Sequence, residues 1–352
     1  MKNILLLSRY GDLGASSRLR SYQYLQHLTK HDIIVKRASF FDDRYITSRY
    51  NQKLVKSDIL KSYLLRIMTM LSASKYDLIW IEYEALPWLP IAFETVLLPS
   101  TVPILIDYDD AIFHRYDRHT SPLVRKLLGN KIKSLMRRAD VVVVGNEYIA
   151  AYAKNAGALN IEYLPTVVDT DKYAIVNIKE TRVVNIGWIG SPYTQSYLES
   201  IFPILKKISE IRKIKVSLVG AQHFDLNGTP VDFLEWSEEL EVQYINEFDI
   251  GIMPLPDEPF ERGKCGYKLI QYMACAKPVV ASPVGVNCKI VEHGQNGFLA
   301  SSEEEWTNYL LKLIDNYCLR LKMGMVGRKK VESEYSLSDA AGTLCRIIED
   351  HT

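Results

Sequence analysis

Short apolar runs recur along the chain, each bounded by glycine, proline or polar clusters, with amphipathic stretches between them. "KNILLLS" (2–8) is followed by "DIIVKRA" (32–38), "YDLIWIEY" (76–83), "VPILIDYDD" (102–110) and "ADVVVVGN" (139–146). Runs this short and this rich in Val, Ile and Leu read as buried strands, and the stretches between them carry helical spacing. Strand–helix alternation predicts a parallel sheet with helices on both faces. The pattern restarts at "TRVVNIGWIGSPYTQSYLESIFPILKKI" (181–208) and continues through "IKVSLVG" (214–220), "FDIGIMPL" (248–255) and "KPVVASP" (277–283). Segments 303–316, 318–334 and 337–350 read as helices, and "PTVVDTDKYAIVNIKE" (165–180) as a linker.

The expected fold class is α/β, with two doubly wound Rossmann-like domains facing across a cleft. Residues 1–170 form the first domain and 171–335 the second, with a final helix, 336–352, packing back on the first. Ligands of such sheets bind beyond the carboxyl ends of the strands, so a facing pair is expected to share one site.

Composition narrows the function classes. The 352 residues are 47% hydrophobic and 24% charged, the balance of a soluble globular protein. A net charge of +1 gives no case for nucleic acid as a partner. The charge is uneven, however: residues 1–170 hold 23 Lys/Arg and 17 Asp/Glu, whereas residues 171–352 hold 20 and 25. A basic front half suggests an anionic partner on that side. The five cysteines have no metal-site spacing and read as reduced thiols, which favours a cytoplasmic location. No cofactor and no metal are expected. The opening "MKNILLLSRYGDLG" has too short an apolar run for a secretory leader.

The chemistry concentrates in "ERGKCGYKLIQYMACAKPVV" (261–280). A strand leads into a loop with Gly263, Lys264, Gly266 and Lys268, and then into a helix from about Tyr267. Cations at a helix start oppose its dipole. They become favourable when a phosphate sits there, since backbone N–H groups and ammonium groups then share the anion. The bland alternative is a solvated loop with outward lysines. The spacing is not that of a Walker loop.

At this point the sequence resembles a known family. "YKLIQYMACAKPVVASPVGVNCKIVEHGQNGFLA" (267–300) is similar to the carboxyl-domain signature of retaining glycosyltransferases of the two-Rossmann GT-B fold, family 4. Gln271-Tyr272-Met273-Ala274, Pro278-Val279-Val280-Ala281, Gly285, Ile290-Val291, Gly294 and Gly297 carry the match. "GASSRLR" (14–20), "GNEYIAAYA" (145–153), "LPTVVDTDKY" (164–173), "IGWIGSP" (186–192) and "DIGIMPL" (249–255) extend it. The resemblance implies a nucleotide-diphosphate sugar donor held mainly by the second domain, through Gly190, Ser191, Gly263, Lys264, Gly266, Lys268 and Gln271. Two departures stand out. Relatives carry glutamates where this chain has Gly263 and Gln271, and an Arg and a Lys where it has Gly190-Ser191-Pro192. The chain looks like a branch with its own R-G-K-C-G-x-K loop, whose phosphate cations would be Lys264 and Lys268.

"ILIDYDDAIFH" (104–114) places carboxylates at a strand end. Asp107-Tyr108-Asp109 spells D-x-D, a metal motif of another glycosyltransferase fold, but its context is a Rossmann strand. By the resemblance, Asp109 falls about where relatives carry an active-site histidine, so it is the catalytic candidate together with Lys264 and Lys268. The alternative is a capping role for Asp109 or Asp110. Ser16 and Ser17 read as caps of the first helix. Arg18 and Arg20 oppose that helix's dipole and are candidates for the acceptor or anion side; packing by their stems is the alternative. Over 121–138, Val124, Leu128, Ile132, Leu135 and Met136 follow helical spacing among six cations. Such a helix either lies on an anionic membrane surface or packs on the core with a solvated basic face.

Three functions are open. The first is a metal-independent retaining glycosyltransferase acting on a glycan or lipid-linked acceptor, in surface polysaccharide or glycolipid synthesis at the inner face of the membrane. The second is a non-catalytic nucleotide-sugar or glycan-binding subunit of the same fold. The third is a dinucleotide enzyme, which "GDLGASSRLR" does not support because it is not G-x-G-x-x-G.

Overall fold

The computed structural model describes residues 1–50, 56–176, 180, 182–224 and 229–352. They divide into two units. Unit 1 comprises Met1–Thr166, Gly263–Cys265 and Leu337–Thr352, and unit 2 comprises Val167–Arg262 and Gly266–Ser336. Of the expected linker 165–180, residues 177–179 lie outside the described residues.

Unit 1 holds β1 (Lys2–Ser8), β2 (Ile33–Ser39), β3 (Leu78–Glu82), β4 (Ile104–Tyr108), β5 (Val141–Val144) and β6 (Ile161–Tyr163). They form one sheet in the order β2-β1-β3-β4-β5-β6, and every pair is parallel. Unit 2 holds β7 (Val184–Ile189), β8 (Ile214–Val219), β9 (Val231–Leu234), β10 (Ile250–Met253), β11 (Val279–Ala281) and β12 (Gly297–Leu299), in the order β12-β11-β10-β7-β8-β9 and again wholly parallel. Parallel sheets need cover on both faces, which is why the strands read as continuous apolar runs: β3, β4, β5, β7 and β10 are buried at every position. In each sheet the chain reverses its direction of travel once, between β1 and β3 and between β7 and β10. Ligands of doubly wound sheets sit at such a reversal.

β6, β9 and β12 were not legible in the hydrophobic pattern. All three are edge strands and only partly buried, so no continuous apolar run marks them. The final helix, Leu337–Asp350, groups with unit 1, where the Lys2 Nζ donates to the Glu349 carbonyl.

The stretch 121–138 differs from the single basic helix expected. It forms two helices, Pro122–Leu128 and Lys131–Arg138, broken at Gly129-Asn130. The apolar face of the second, Ile132, Leu135 and Met136, is buried in unit 1. Its basic face is only partly solvated. Lys133 and Arg137 are exposed, but Lys131 is 2% exposed. Its Nζ lies 2.7 Å from Glu84 Oε2 and 2.8 Å from Glu94 Oε1. Arg138 donates to the carbonyls of Glu94 and Leu98. Arg9 completes the cluster at 3.1 Å from Glu84. Burial works against the Glu84 charge, yet Lys131 and Arg9 hold its carboxyl below the ordinary value. Removing one partner of a buried pair strands the other. Lys131→Ala is therefore expected to cost about 3–5 kcal/mol in urea unfolding, while Lys133→Gln and Arg137→Gln each change stability by about 0.5 kcal/mol or less.

Candidate functional site

In unit 2 the reversal point is flanked by the turn after β7 and the helix that follows β10. Gly190 donates to the Val219 carbonyl, and Ser191 N to Thr194 Oγ1 at 3.1 Å. The helix Tyr267–Ala274 is entered through Gly266, which sits in the left-handed region at φ 65°. That conformation suits glycine, which has no Cβ to strain. No side chain caps this helix start, and its first turn holds no acid. Lys268, half-buried in that turn, carries its Nζ 5.3 Å from the Trp188 ring centroid, a cation–π arrangement. Gln271 is 3% exposed, and its amide Nε2 donates to the Tyr173 hydroxyl at 2.7 Å. Tyr173 donates in turn to Glu241, which also accepts from Trp236.

A carboxylate that motif reading missed lies in the same unit. Glu261 is 9% exposed and accepts from the Tyr197 hydroxyl at 2.5 Å. It stands two positions before Gly263, where the resemblance directed attention to an absent glutamate. Its burial could not be read from a sequence in which Arg262 follows it directly and Lys264 stands three positions on.

In unit 1 the segment Gly263–Cys265 sits at the ends of β4 and β5. Asn146 Nδ2 donates to the Gly263 carbonyl at 2.7 Å, and Cys265 Sγ to the Asp109 carbonyl at 2.8 Å. Lys264, half-buried, has its Nζ 3.9 Å from Asp110 Oδ1. It precedes the helix and groups with unit 1, so the structure assigns the two lysines to different units. Lys268 lies in the first turn and Lys264 in the loop two residues before the Gly266 cap.

The aspartates and arginines sort differently from the sequence reading. Arg20 is 1% exposed and binds Asp107 through both oxygens, Nη2 to Oδ1 at 2.6 Å and Nε to Oδ2 at 2.9 Å. Its remaining reach goes to the Leu164 carbonyl and Thr166. The anion that offsets Arg20 is thus the protein's own aspartate, which corrects its placement on the acceptor or anion side. The same pair occupies Asp107, so a D-x-D metal reading loses one carboxylate. Arg18 is half-buried and donates to the Asp12 carbonyl. The helix Ala15–Arg20 is capped by Gly14, not by Ser16 or Ser17. Ser17 is buried and donates to Glu82 Oε2 at 2.5 Å.

Asp109 is half-buried and accepts from the Tyr83 hydroxyl. Tyr83 stands at φ 63°, a strained conformation for a non-glycine residue. Burial, and after it the adjacent Asp110, pushes the Asp109 carboxyl up to about 7, against Arg20 and Tyr83. Burial likewise raises Glu82 to about 7, against its bonds from Ser17 and the Arg9 backbone. A carboxylic acid that titrates near neutrality can hold or pass a proton.

The comparisons with known proteins bear on the same residues. Residues 181–316 match the family Glycosyl transferases group 1. That stretch contains the turn after β7 and the helix with Lys268. A probable sucrose-phosphate synthase of Thermosipho melanesiensis is 33% identical over 92 residues, which are 26% of this chain and 20% of that protein's length. Among solved structures, a sucrose-phosphate synthase from Thermosynechococcus elongatus superposes with a TM-score of 0.76 at 14% identity, covering 99% of both chains. Anabaena HepE in complex with UDP-glucose gives 0.73 at 17% identity, covering 99% of this chain and all of that one. A glycosyltransferase from Rickettsia africae gives 0.69 at 13%, covering 99% of this chain and 98% of that one. At these identities the likeness is one of fold: two parallel six-stranded α/β sheets, as in glycosyltransferases of the GT-B fold.

Two predictions follow from this geometry. A folded chain that holds a carboxyl proton up to about pH 7 binds protons that the unfolded chain releases near pH 4. The Asp109 contribution to stability is therefore full below the ordinary carboxylate range and falls as pH rises through 7. Thermal unfolding of Asp109→Asn against wild type across pH 5–8 is expected to show a gap that moves in the mutant's favour with rising pH. The second concerns Gly263, where an added Cβ would lie 2.3 Å from the Ala111 Cβ and 2.8 Å from its backbone nitrogen. Restoring the family's acid as Gly263→Glu is expected to destabilise the chain by about 1–3 kcal/mol in chemical unfolding.

Proposed function

We propose that this protein is a retaining glycosyltransferase that moves a sugar from a nucleotide-diphosphate donor to an acceptor hydroxyl. The observation that carries this reading is the uncapped, acid-free start of the helix Tyr267–Ala274, with Lys268 in its first turn. It stands on the strand neighbouring Gly190-Ser191, inside the segment matched by Glycosyl transferases group 1. Backbone N–H groups and an ammonium at a helix start suit a diphosphate. The complex of Anabaena HepE with UDP-glucose supports that donor class. In this reading unit 2 holds the donor and unit 1 the acceptor. Lys268 stabilises the charge that develops on the leaving diphosphate. Asp109 acts at the transferred sugar or the acceptor hydroxyl. The donor's own phosphate helps to deprotonate the acceptor, so no resident metal is assigned. The acceptor class is a glycan or a lipid-linked sugar, and the setting is surface polysaccharide or glycolipid synthesis on the cytoplasmic side.

A second reading, a subunit that binds nucleotide sugar without transfer, draws support from Gly263, which has no room for an acid, and from Gln271, whose amide is engaged by Tyr173. Turnover separates the two. A purified chain that protects itself from heat with a nucleotide sugar, yet hydrolyses or transfers none across a panel of acceptors, belongs to the second class.

Lys268→Ala tests the site itself. Loss of one charge-assisted contact weakens binding by about 1.5–3 kcal/mol, roughly tenfold to a hundredfold. Calorimetric titration with UDP is expected to show that loss, with the melting temperature of the free protein unchanged. An unaltered affinity removes the phosphate assignment.

A further inference from the structure

The helix Lys56–Leu71 is apolar on two sides. One side packs into unit 1 through Tyr63, Ile67 and Met70. On the other, Leu60 is 63% exposed, Leu64 55%, Met68 67% and Leu71 67%. At the helical turn these four fall on one stripe. An exposed apolar stripe of this size marks a surface that meets a partner or a membrane. The next helix in the layer, Ile91–Leu97, repeats the feature: Phe93 and Val96 are exposed and its one charged residue, Glu94, is fully buried.

These helices lie side by side with Lys131–Arg138 on one face of the first sheet. They are the connections β2→β3, β3→β4 and β4→β5, whose strands step in one direction, so right-handed crossovers put them on a common face. The contacts agree. Tyr63 donates to the carbonyl of Pro87, just before the second helix. Arg138 donates to the carbonyls of Glu94 and Leu98 on that helix. On the third helix the outward residues are Lys133 and Arg137.

Charge decides what such a face meets. The three helices expose four cations, Lys56, Lys61, Lys133 and Arg137, against one acid, Asp58, among the described residues. A self-pairing surface would bring these cations against each other. An anionic bilayer instead takes the apolar side chains into its acyl boundary and the cations at its headgroups.

We propose that this three-helix face of unit 1 is a docking surface for an anionic lipid membrane. The apolar stripe of the Lys56–Leu71 and Ile91–Leu97 helices inserts, while Lys133 and Arg137 engage the headgroups. In the 121–138 stretch Leu128, Ile132, Leu135 and Met136 are used in the core, so its second helix serves through its outward cations. The inference does not depend on the transfer reading, because binding to lipid is measured without donor or acceptor.

The test is co-sedimentation of the full chain with phosphatidylcholine vesicles, with and without phosphatidylglycerol. Wild type is expected to sediment with the phosphatidylglycerol vesicles at low salt and less at physiological salt, where screening acts over about 8 Å. The pair Leu64→Glu with Met68→Glu is expected to lose at least tenfold in vesicle affinity while its melting temperature holds. Val96→Glu is a second probe of the apolar face should that pair fail to fold. Lys133→Gln with Arg137→Gln should lose up to roughly thirtyfold, at about 1 kcal/mol per cation, and flatten the salt dependence. Absence of wild-type binding at low salt overturns the proposal, as does full binding by the apolar-face variants. A wild-type dimer in sedimentation analysis that Leu64→Glu with Met68→Glu makes monomeric, with no vesicle binding, overturns it in favour of a second copy of the chain.

Discussion

A sheet whose strands all run parallel cannot leave either face to water, and it places every strand's carboxyl end along one edge. Both consequences organise this molecule. The need for cover turns most connections into helical crossovers and makes β3, β4, β5, β7 and β10 buried throughout. The common edge gathers loops that are far apart in sequence. In unit 2 it sets Gly190-Ser191 beside the loop that enters the Tyr267–Ala274 helix. In unit 1 it sets Ser17, Glu82 and Tyr83 near Asp107 and Asp109.

Unit 1 carries an unusual load of buried charge at that edge. Arg20–Asp107 and the Lys131, Glu84, Glu94 and Arg9 cluster are satisfied internally. A buried ion pair adds little net stability over an apolar one, because desolvation cancels most of the attraction. Breaking it is costly, so it fixes the strand ends more than it strengthens the core. Asp109 and Glu82 are different. Their carboxyls form no ion pair of their own among the described residues, burial outweighs the attraction of Arg20 and Arg9, and both are displaced toward neutrality. Candidate chemistry follows from that contrast: fully paired acids hold the scaffold, and the incompletely paired ones are able to handle protons.

The outer face of the same helices obeys the opposite logic. A surface residue need satisfy no partner in the fold, so its identity reports what it meets outside. The exposed Leu, Met, Phe and Val side chains on two adjacent helices gain nothing within the described chain. The exposed cations of the third helix, Lys133 and Arg137, point the same way in charge.

Periodicity alone determined the fold class, because a strand buried on both faces must be apolar along its length and its crossover helix amphipathic. Three edge strands, β6, β9 and β12, escaped, because a partly buried edge strand need not be apolar along its length. The loop from Arg262 to Lys268 was legible as a place where chemistry sits, since glycines and cations at a strand-to-helix turn are locally expensive. Sequence could not say which charges were spoken for. Arg20 meets Asp107 across 87 positions and Lys131 meets Glu84 across 47, and such pairings exist only once the sheet has closed. The tertiary structure therefore decided which cations are structural and which remain outward. Partnership between side chains is a property of distance in space, and the local pattern of a chain carries no record of it.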